Sequence, residues 1–481
     1  MRAMFRLGAV LVGLSAAVAG PVARGQTPAA QSPQPPTVPG PATATAELSS
    51  PGPTSGRVET APKVDDPMLA PPPPAPREIA SWQHALELVR SHAPRYLTGM
   101  QRVREAEARS RIALAGVLPV LTAEGRYTHE FFTEVQATPF GTVQSPIDDV
   151  FSAGARLRVP ILNLRAIKGV GTGERIERAA ELSFADERRQ IAQSVVETML
   201  STLATARVAE LNREGLRAAL ERLALATARQ QFGRGTLLDV DRAQQDVAAS
   251  RADLIQGDEA LATSREALGV VLGSQTAIAV SSALDLEAFE RAVAATCKLT
   301  PDIEQRPDIA AARARLEVAE RLVDDVELSY WPTLDLVSEL DHATEVISGP
   351  RTTWNVQGVL SVPLYDGGAR YGQKRQQVAQ AEQARQALTE ARLLAVVDTT
   401  RAARSVTVLS SARDVAREQR DLARSIDQRI RQGYAGGLGT SLDLVLSAQS
   451  LRQAENRLVL LELEVAKARA GAVLASAECM Y

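Results

Sequence analysis

Two aspartates in this 481-residue sequence stand 204 residues apart in matching surroundings. Asp239 lies in the run Gly-Thr-Leu-Leu-Asp-Val at 235–240, and Asp443 lies in Gly-Thr-Ser-Leu-Asp-Leu at 439–444. At the start of a helix, the positive end of the helix dipole favours a carboxylate, so both residues fit a purely structural role. If several copies of the chain surround one axis, the Asp443 carboxylates would form a ring that attracts cations and repels anions. The sequence leaves both alternatives open.

Other residues that often do chemistry show no pattern typical of an active site. The four histidines are far apart, and a solvated position fits them better than a metal site: His84, His92, His129 and His342. The glycine-rich run at 169–173 lacks the lysine and the preceding strand of a phosphate-binding loop. Cys297 and Cys479 would form a disulfide in an oxidising compartment if the fold brings them together, which spacing does not decide. We therefore expect no enzyme activity, no metal and no cofactor.

The composition is that of a protein built from long helices. Hydrophobic residues make up 45% and charged residues 23% of the chain, whereas aromatic residues contribute only 4%. Alanine, leucine, arginine, glutamate and glutamine dominate, as in long helical proteins. The formal net charge of −3 and the mixing of both signs along the chain argue against a nucleic-acid-binding protein.

The N-terminal part of the sequence predicts export and a flexible connection. Arg2 and Arg6 precede a short apolar run, so residues 1–25 are predicted to be a signal peptide. No cysteine follows directly, and lipid attachment at that point is not expected. Residues 27–79 hold 15 of the 26 prolines, which predicts a disordered Pro-rich tether at 26–79. No later segment has the apolar length of a transmembrane helix.

The rest of the sequence carries an internal duplication. Besides the two aspartate runs, Leu-Pro-Val-Leu at 118–121 resembles Trp-Pro-Thr-Leu at 331–334, and the residues around Pro160 resemble those around Pro363, where strands are predicted to end. Matching Phe232 with Tyr434 requires a two-residue insertion in the second copy. Residues 80–300 and 301–481 are therefore predicted to be two repeats, each with one helix, two strands and two long helices.

Each repeat predicts a helical hairpin of unusual length. The stretches 166–230 and 367–432 contain no proline, and about 65 helical residues span about 95 Å. Apolar residues recur every seven positions, as at Val240, Val247 and Leu254, which indicates packing against a partner helix. Tight turns at 232–236 and 434–440 would fold each long helix back onto its successor.

Two predicted strands per repeat alternate apolar and polar residues over about ten positions, which suits a membrane-spanning barrel. Polar loops at 131–149 and 342–351 would join them, although a soluble hairpin fits any single strand equally well. Open strand edges cannot face lipid, so four strands per chain require several copies to complete one cylinder. Two other functions are weighed against a membrane duct: a non-conducting periplasmic coiled-coil scaffold, and a soluble enzyme with helical insertions.

Three motifs carry a family resemblance: Arg-Pro-Asp-Ile at 306–309, Val-Pro-Leu-Tyr-Asp-Gly-Gly at 362–368, and the aspartate run at 439–444. In this order, and with the duplication, residues 80–481 resemble the TolC family of outer-membrane efflux proteins, nearest to its NodT-type branch. The resemblance implies a mainly α fold with membrane β-strands. A long α-helical coiled-coil barrel would lie in the periplasm, and the four strands of each protomer would form a twelve-stranded outer-membrane β-barrel in a homotrimer.

The resemblance also implies a function. The chain would be the passive outer-membrane duct of a tripartite efflux or type I secretion system, with a periplasmic adaptor and an inner-membrane pump as partners. One departure from the family pattern is that Asn-Leu-Arg at 163–165 stands where the second repeat has Asp-Gly-Gly.

The resemblance assigns Asp443 to the tunnel constriction, because it matches an aspartate that narrows the family's channels. Leu446 stands where a second aspartate is common, which predicts a single carboxylate ring. Asp239 is the repeat mate of Asp443, and an ion pair of Asp239 with Arg242, or between subunits, would hold the tip closed. The adaptor is expected to contact the helix tips at Phe232, Gly233, Gly235, Thr236, Tyr434, Gly437, Gly439 and Thr440.

Overall fold

The computed structural model describes residues 64–129, 131, 135–144, 149–299, 302–344, 350–479 and 481. The predicted signal peptide, and the predicted tether as far as residue 63, lie outside this range. All described residues belong to one unit of the chain, which begins at Thr60.

The helices in this range are α1 (Trp82–His92), α2 (Pro94–Ala115), α3 (Leu164–Gln231), α4 (Leu237–Leu272), α5 (Leu286–Thr296), α6 (Pro307–Glu327), α7 (Ala369–Ala435) and α8 (Ser441–Ala475). The strands are β1 (Arg77–Ile79), β2 (Val120–His129), β3 (Val135–Thr138), β4 (Gly141–Gln144), β5 (Asp149–Leu162), β6 (Ile278–Val280), β7 (Cys297–Leu299), β8 (Thr333–Ala343), β9 (Arg351–Ser361) and β10 (Ala477–Cys479). Both halves therefore share the order helix, two long strands, long helix, long helix.

The long helices confirm the predicted lengths. α3 has 68 residues and α7 has 67, so each spans about 100 Å. α4 packs along α3, α8 packs along α7, and α8 also contacts α3, which joins the two hairpins. Among the described helices, none is both long enough and apolar enough to span a bilayer.

The largest core lies at the end of the hairpins that is remote from their tips. Trp82, Met199, Leu272, Phe289 and Leu474 come from five different helices, and each is at most 2% exposed. Trp82 meets Phe289 edge to face, with ring centroids 5.7 Å apart. Burying a side chain of this size contributes roughly 1.5–3 kcal/mol, so this cluster holds α1 and α5 to the long helices.

A disulfide closes this core from one side. Cys297 of β7 and Cys479 of β10 lie opposite each other in a two-stranded antiparallel sheet and are bonded. The structure thus answers a question that the spacing of the cysteines left open. A buried disulfide of this kind is typical of proteins that mature in an oxidising compartment.

The four long strands form one antiparallel sheet in the order β2-β5-β8-β9. One face is charged: Arg156 and Arg158 of β5 each reach an acidic residue of β8, Glu339 and Asp335 respectively, at 2.5 Å. The opposite face exposes large apolar side chains, including Leu121, Phe151, Leu340 and Trp354. The alternation predicted for these strands is therefore confirmed.

Two details of the sheet differ from the prediction. Pro160 does not end its strand, because β5 continues to Leu162 through a bulge that begins at Pro160. Since a proline lacks only one donor, an irregular position in the ladder tolerates it. The segment 131–149, predicted to be a polar loop, includes the short hairpin of β3 and β4.

The predicted disordered tether at 26–79 is wrong for its last part. Residues 64–76, called the strap below, lie along α3 and α4, and β1 follows as a parallel partner of β6. A 3-10 turn at Pro67–Leu69 brings the side chains of Met68 and Leu69 onto apolar residues of the two helices, namely Leu216, Ala219, Leu220, Val247 and Leu254. Burial of these side chains offsets the cost of ordering a proline-rich chain.

Charged contacts fix the strap in place. The Asp66 carboxylate accepts a bond from Arg251 of α4 at 2.8 Å and caps the 3-10 turn through the Met68 N–H at 2.8 Å. The position of Arg251 corresponds to Glu455 in the second repeat, where Glu455 pairs with Arg424 of α7 at 2.9 Å. In the first repeat the residue that corresponds to Arg424 is Leu220, which cannot form an ion pair with Arg251. Asp66 of the strap provides the opposite charge for Arg251 instead.

Replacement of Asp66 with alanine is expected to loosen the strap while the helices stay folded. The bond from Arg251, and then the Met68 N–H, lowers the pKa of Asp66, so the carboxylate is charged at neutral pH. Loss of this cap and ion pair costs about 1 kcal/mol. Limited proteolysis should cut residues 64–76 several-fold faster in the variant. Asp65→Ala, an exposed neighbour, should behave like the wild type, and equal cleavage rates in both variants would contradict the assignment.

Candidate functional site

The tips of the two helical hairpins are built alike. Gly233 and Gly437 have φ angles of +70° and +80°, a left-handed conformation that glycine adopts without strain. In each turn the N–H of the next residue bonds back to a helix carbonyl, from Arg234 to Arg229 at 2.8 Å and from Leu438 to Gly433 at 2.9 Å. The equivalent residues of the two turns stand as far apart in sequence as Asp239 and Asp443 do.

The two-residue insertion proposed for the second turn is therefore wrong. At this constant spacing, the repeat mate of Tyr434 is Gln230, and the mate of Phe232 is Gly436. Phe232 and Tyr434 are both aromatic by coincidence, because the two residues occupy positions of the turn that do not correspond. Phe232 is 79% exposed beyond the end of α3, whereas Tyr434 is 9% exposed within the last turn of α7.

Both aspartates that the sequence singled out are helix caps. The Thr236 hydroxyl and N–H donate to Asp239 at 2.8 and 2.9 Å, and the Asp239 N–H donates back to the hydroxyl at 3.2 Å. Thr440 and Asp443 repeat this arrangement, with the hydroxyl donating at 2.6 Å. This reciprocal capping box satisfies helix N–H groups that otherwise lack a partner.

Beyond capping, the two aspartates differ. The Ser441 hydroxyl of α8 donates to Asp239 of α4, and Arg242 reaches the same hydroxyl at 3.5 Å. The bond from Ser441, followed by the Thr236 N–H, lowers the pKa of Asp239. Asp443 is exposed and has no second contact among the described residues, so its charge is free to act on solvent. Leu446, one turn later, is 53% exposed.

The ion pair expected between Asp239 and Arg242 is not formed within the chain. Both side chains turn to Ser441 instead, because the second hairpin places that hydroxyl between them. A pair between subunits stays a prediction. The contact that does join the tips was not foreseen, since Ser441 is an ordinary residue of the repeated run.

A second contact joins the tips near the end of α3. Arg229 donates to the carbonyl of Tyr434 at 3.1 Å, and its guanidinium lies 4.1 Å from the centre of the Tyr434 ring. Tyr434 was expected on the adaptor surface but is buried here, whereas the unforeseen Leu438 is 92% exposed. The other predicted tip residues lie at or near the surface: Phe232, Gly233, Gly235, Thr236, Gly437, Gly439 and Thr440.

Above the tips, one buried carboxylate ties three helices together. The Asp246 side chain of α4 is fully buried and accepts from Arg222 of α3 at 2.5 Å and from Arg452 of α8 at 3.1 Å. Gln449 of α8 approaches the same carboxylate at 3.5 Å. Burial raises the pKa of Asp246, but attraction to Arg222 and then Arg452 outweighs burial and leaves the pKa below its usual value. A pattern search misses this residue, because its repeat mate is Ser450.

A related group holds the second hairpin together. Asp427 of α7 is buried, pairs with Arg431 at 2.6 Å, and accepts from the Ser447 hydroxyl of α8 at 3.1 Å. Polar contacts therefore hold the tip region together, both within each hairpin and between the first hairpin and the second. In the part of the chain that the structure describes, no group of three or more His, Cys, Asp or Glu is placed to hold a metal ion.

Sequence comparison finds relatives over most of the chain. The model of the family described as outer membrane efflux protein matches residues 85–274 and 302–475. The pyoverdine export outer membrane protein OpmQ of Pseudomonas putida is 27% identical over 403 residues, which cover 79% of this chain and 82% of that protein. The proteases secretion protein PrtF of Dickeya chrysanthemi is 24% identical over 79% of this chain and 83% of its own.

Solved structures share the fold. The Campylobacter jejuni CmeC outer membrane channel superposes with a TM-score of 0.70 at 14% identity, covering 88% of this chain and 93% of that one. The outer membrane protein VceC from Vibrio cholerae gives a TM-score of 0.66 at 18% identity, covering 82% of this chain and 96% of that one.

Proposed function

The chain belongs to the outer membrane efflux protein family, and from this premise we propose that three copies close into one duct whose periplasmic end is gated by the helix tips. The protein is an outer-membrane export channel, with its helices forming a tunnel in the periplasm. The duct is passive: an inner-membrane pump supplies the energy, and a periplasmic adaptor connects the two.

One observation carries the proposed closure. Within one chain α3 packs on α8, whereas the corresponding faces of their repeat mates, α7 and α4, are exposed. At the constant spacing of 204 residues, the α7 residues Val415 and Ile426 correspond to Leu211 and Arg222 of α3. Leu211 faces α8, where it lines one groove with Val459, and Arg222 is linked to α8 through Asp246. Val415 and Ile426 are 65% and 50% exposed, so among the residues that the structure describes none covers the equivalent face of α7.

The complementary face, which lies on α4, is exposed as well. α4 is the repeat mate of α8, and Ile255 of α4, which corresponds to Val459, is 60% exposed. If α7 of one copy packs on α4 of the next as α3 packs on α8 within a copy, both exposed faces are buried at once. Such head-to-tail contacts close into a ring when the rotation is right.

The sheet supports the same closure. β2 and β9 are the edge strands of the four-stranded sheet, and the alternation of direction allows β9 of one copy to pair antiparallel with β2 of the next. Backbone groups in lipid need partners, so the edges must be joined. Three copies give a barrel of about twelve strands, a size within the range of outer-membrane barrels.

We place the gate at the tips because the exposed Asp443 carboxylates would there surround the axis. In a narrow passage, a ring of three carboxylates favours cations over anions. Ser441 with Asp239, and Arg229 with Tyr434, would hold the hairpins in the closed arrangement. Each contact of this kind stabilises the closed arrangement by about 1 kcal/mol, so binding of an adaptor at the tips is sufficient to break these contacts.

Channel recordings of the purified protein in planar bilayers test this function. The wild type is expected to conduct as a heat-resistant trimer and to prefer cations. Asp443→Asn keeps an oxygen that can cap α8 but removes the charge, so the cation-to-anion permeability ratio should fall roughly two- to fivefold without a loss of trimers. Asp241→Asn makes the same charge change at an exposed position on α4 and should leave the ratio unchanged.

The alternative function, a periplasmic scaffold, gives the opposite result. A scaffold would be recovered without detergent and would not conduct. Trimers that conduct with equal selectivity in the wild type and in Asp443→Asn would support the duct but reject Asp443 as its selective ring.

A further inference from the structure

The strap lies on the first helical hairpin, in a site that the second hairpin does not repeat. The floor of this site, called the strap site below, is formed by buried apolar residues of α3 and α4: Leu216, Ala219, Leu220, Val247 and Leu254. At the constant spacing of 204 residues, Arg420 and Arg424 of α7 correspond to Leu216 and Leu220. Two arginines remove most of an apolar floor on the α7 side, so the strap site is a feature of the first repeat.

Arginines at the rim of the strap site hold the strap through its carbonyl groups. Arg213 of α3 donates to the Ala70 carbonyl at 3.3 Å, and Arg265 of α4 donates to the Pro73 carbonyl at 3.2 Å. A proline has a carbonyl but no N–H, so a proline-rich segment accepts hydrogen bonds and offers few donors. The guanidinium groups, which only donate, therefore match such a segment.

The strap has the conformation that this arrangement requires. Ala70 has φ −59° and ψ 137°, close to polyproline II values, and the ring of each proline at 71–74 fixes φ at about −65°. A polyproline II segment makes no internal hydrogen bonds, so its carbonyls are free to bind elsewhere. At the other end of the strap, Asp66 pairs with Arg251 at 2.8 Å. The strap site thus recognises three features: an acidic residue, two apolar side chains and free carbonyls.

The strap site adjoins the buried network above the tips. Leu220 of its floor lies two residues from Arg222, and Val247 directly follows Asp246. The pair of Arg222 with Asp246, at 2.5 Å, belongs to the network that joins the first hairpin to the second. Because the strap contacts both α3 and α4 at this level, a bound strap holds together the two helices that carry this pair.

We propose that the strap site is a recognition site for extended proline-rich segments, which the strap occupies as a reversible ligand from the same chain. Every residue of the strap is at least partly exposed, so the strap can leave while the helices stay folded. While it is bound, it holds α3 against α4 and favours closed tips. This last step rests on the proposed function, whereas recognition of the ligand does not.

Binding of a synthetic peptide with the sequence of residues 64–76 tests the site on the full-length protein in detergent. In the strap variant, Asp66→Ala with Met68→Ser and Leu69→Ser weakens the ligand within the chain. The floor variant adds Leu216→Arg and Leu220→Arg, which introduce the residues of the second repeat. The matched control instead adds Gln245→Arg and Gln256→Arg at exposed positions of α4 outside the floor.

The fluorescein-labelled peptide should bind the strap variant and its matched control with affinities within about twofold of each other, and the floor variant about tenfold more weakly. Binding to the wild type should also be at least about tenfold weaker than to the strap variant, because the tethered strap competes at a high effective concentration. Equal binding to the floor variant and the strap variant, or no binding to the strap variant, would overturn the recognition site.

A reversible lock provides a second measurement if the strap variant does not fold. Asp66→Cys with Arg251→Cys places two thiols where the ion pair stands, while the two natural cysteines are bonded to each other and buried. Oxidation fixes the strap and should prevent peptide binding, whereas mild reduction, which spares the buried natural bond, should restore it. The same affinity in both states would contradict an exchangeable strap.

Conductance in planar bilayers tests the link to the tips. The strap variant should open several-fold more often than the wild type, and saturating peptide should return its opening towards that of the wild type. Peptide that binds without changing the opening rejects this link. A wild type that neither trimerises nor conducts rejects the proposed duct, and peptide binding then still decides whether the recognition site exists.

Discussion

Asp246→Ala is expected to be the most damaging single substitution in the helical region. It removes the carboxylate between Arg222 and Arg452 and leaves the buried Arg222 guanidinium without its counter-charge. Breaking a buried pair in this way costs roughly 3–5 kcal/mol. The loss lies where the second hairpin is joined to the first, so amide exchange in α4 and α8 near the tips should increase strongly. In bilayers, the variant should open far more often than the wild type.

The dependence of this contact on pH has a defined direction. The pKa of Asp246 is lower in the folded protein than in the unfolded chain, so its contribution to stability is fully present above the unfolded value of about 3.9. The contribution is lost as the pH falls through the lower, folded value. Tip opening through this contact should therefore be constant from neutral pH down to about pH 5 and should increase only at stronger acidity.

An exposed pair at the same level serves as the control. Glu455→Ala breaks the bond to Arg424, whose side chain is half exposed, and should cost less than about 1 kcal/mol. A triple replacement of Asp246, Arg222 and Arg452 by leucine and methionine should recover much of the stability that Asp246→Ala loses. Similar exchange rates for Asp246→Ala and Glu455→Ala would refute the assigned role of the buried network.

Val408→Glu combined with Leu422→Glu is expected to abolish the trimer. Both residues are 57% exposed on α7, and their repeat mates, Ala204 and Ala218, lie on α3 one heptad on either side of Leu211, which faces α8. Packing α7 against the next copy would bury two unpaired carboxylates in each of three interfaces. Each uncompensated charge costs several kcal/mol, so the assembled form should disappear. Unheated gel electrophoresis and light scattering in detergent would report monomers.

Leu460→Glu is the matched control on α8. Leu460 is 44% exposed, and its repeat mate in α4 is the polar residue Gln256, so a polar group is expected to be tolerated at that position. The control should retain the trimer and the conductance of the wild type. Trimers of undiminished heat resistance in the α7 double variant would place the interface elsewhere.

Long-range periodicity made the helices and the main sheet predictable. The two long stretches without proline leave few alternatives to helix, and the regular seven-residue spacing identifies which faces pack. The sheet follows because Arg156 and Glu339 alternate with apolar neighbours along strands of at least ten residues. These features depend on many residues at once, so single exceptions such as Pro160 do not hide them.

The missed features depend on single contacts between distant residues. Composition marks the strap as unfolded because it is rich in proline, but its binding surface is formed by Leu216 and Val247, which belong to helices far along the chain. In the same way, nothing in the sequence around Asp246 names Arg222 or Arg452 as partners. At the tips, the capping role of the two aspartates was among the alternatives, whereas the bond from Ser441 requires knowing how the hairpins lie together.

The bond between Cys297 and Cys479 has a consequence for the whole second repeat. It bridges 182 positions of sequence and thereby makes α6, β8, β9, α7 and α8 a covalently closed loop, whereas the first repeat remains linear. Cross-linking a loop of this size removes on the order of 5 kcal/mol of chain entropy from the unfolded state. A protease that nicks the second hairpin would leave two fragments still tethered, so damage there need not dismantle the channel until the bond is reduced.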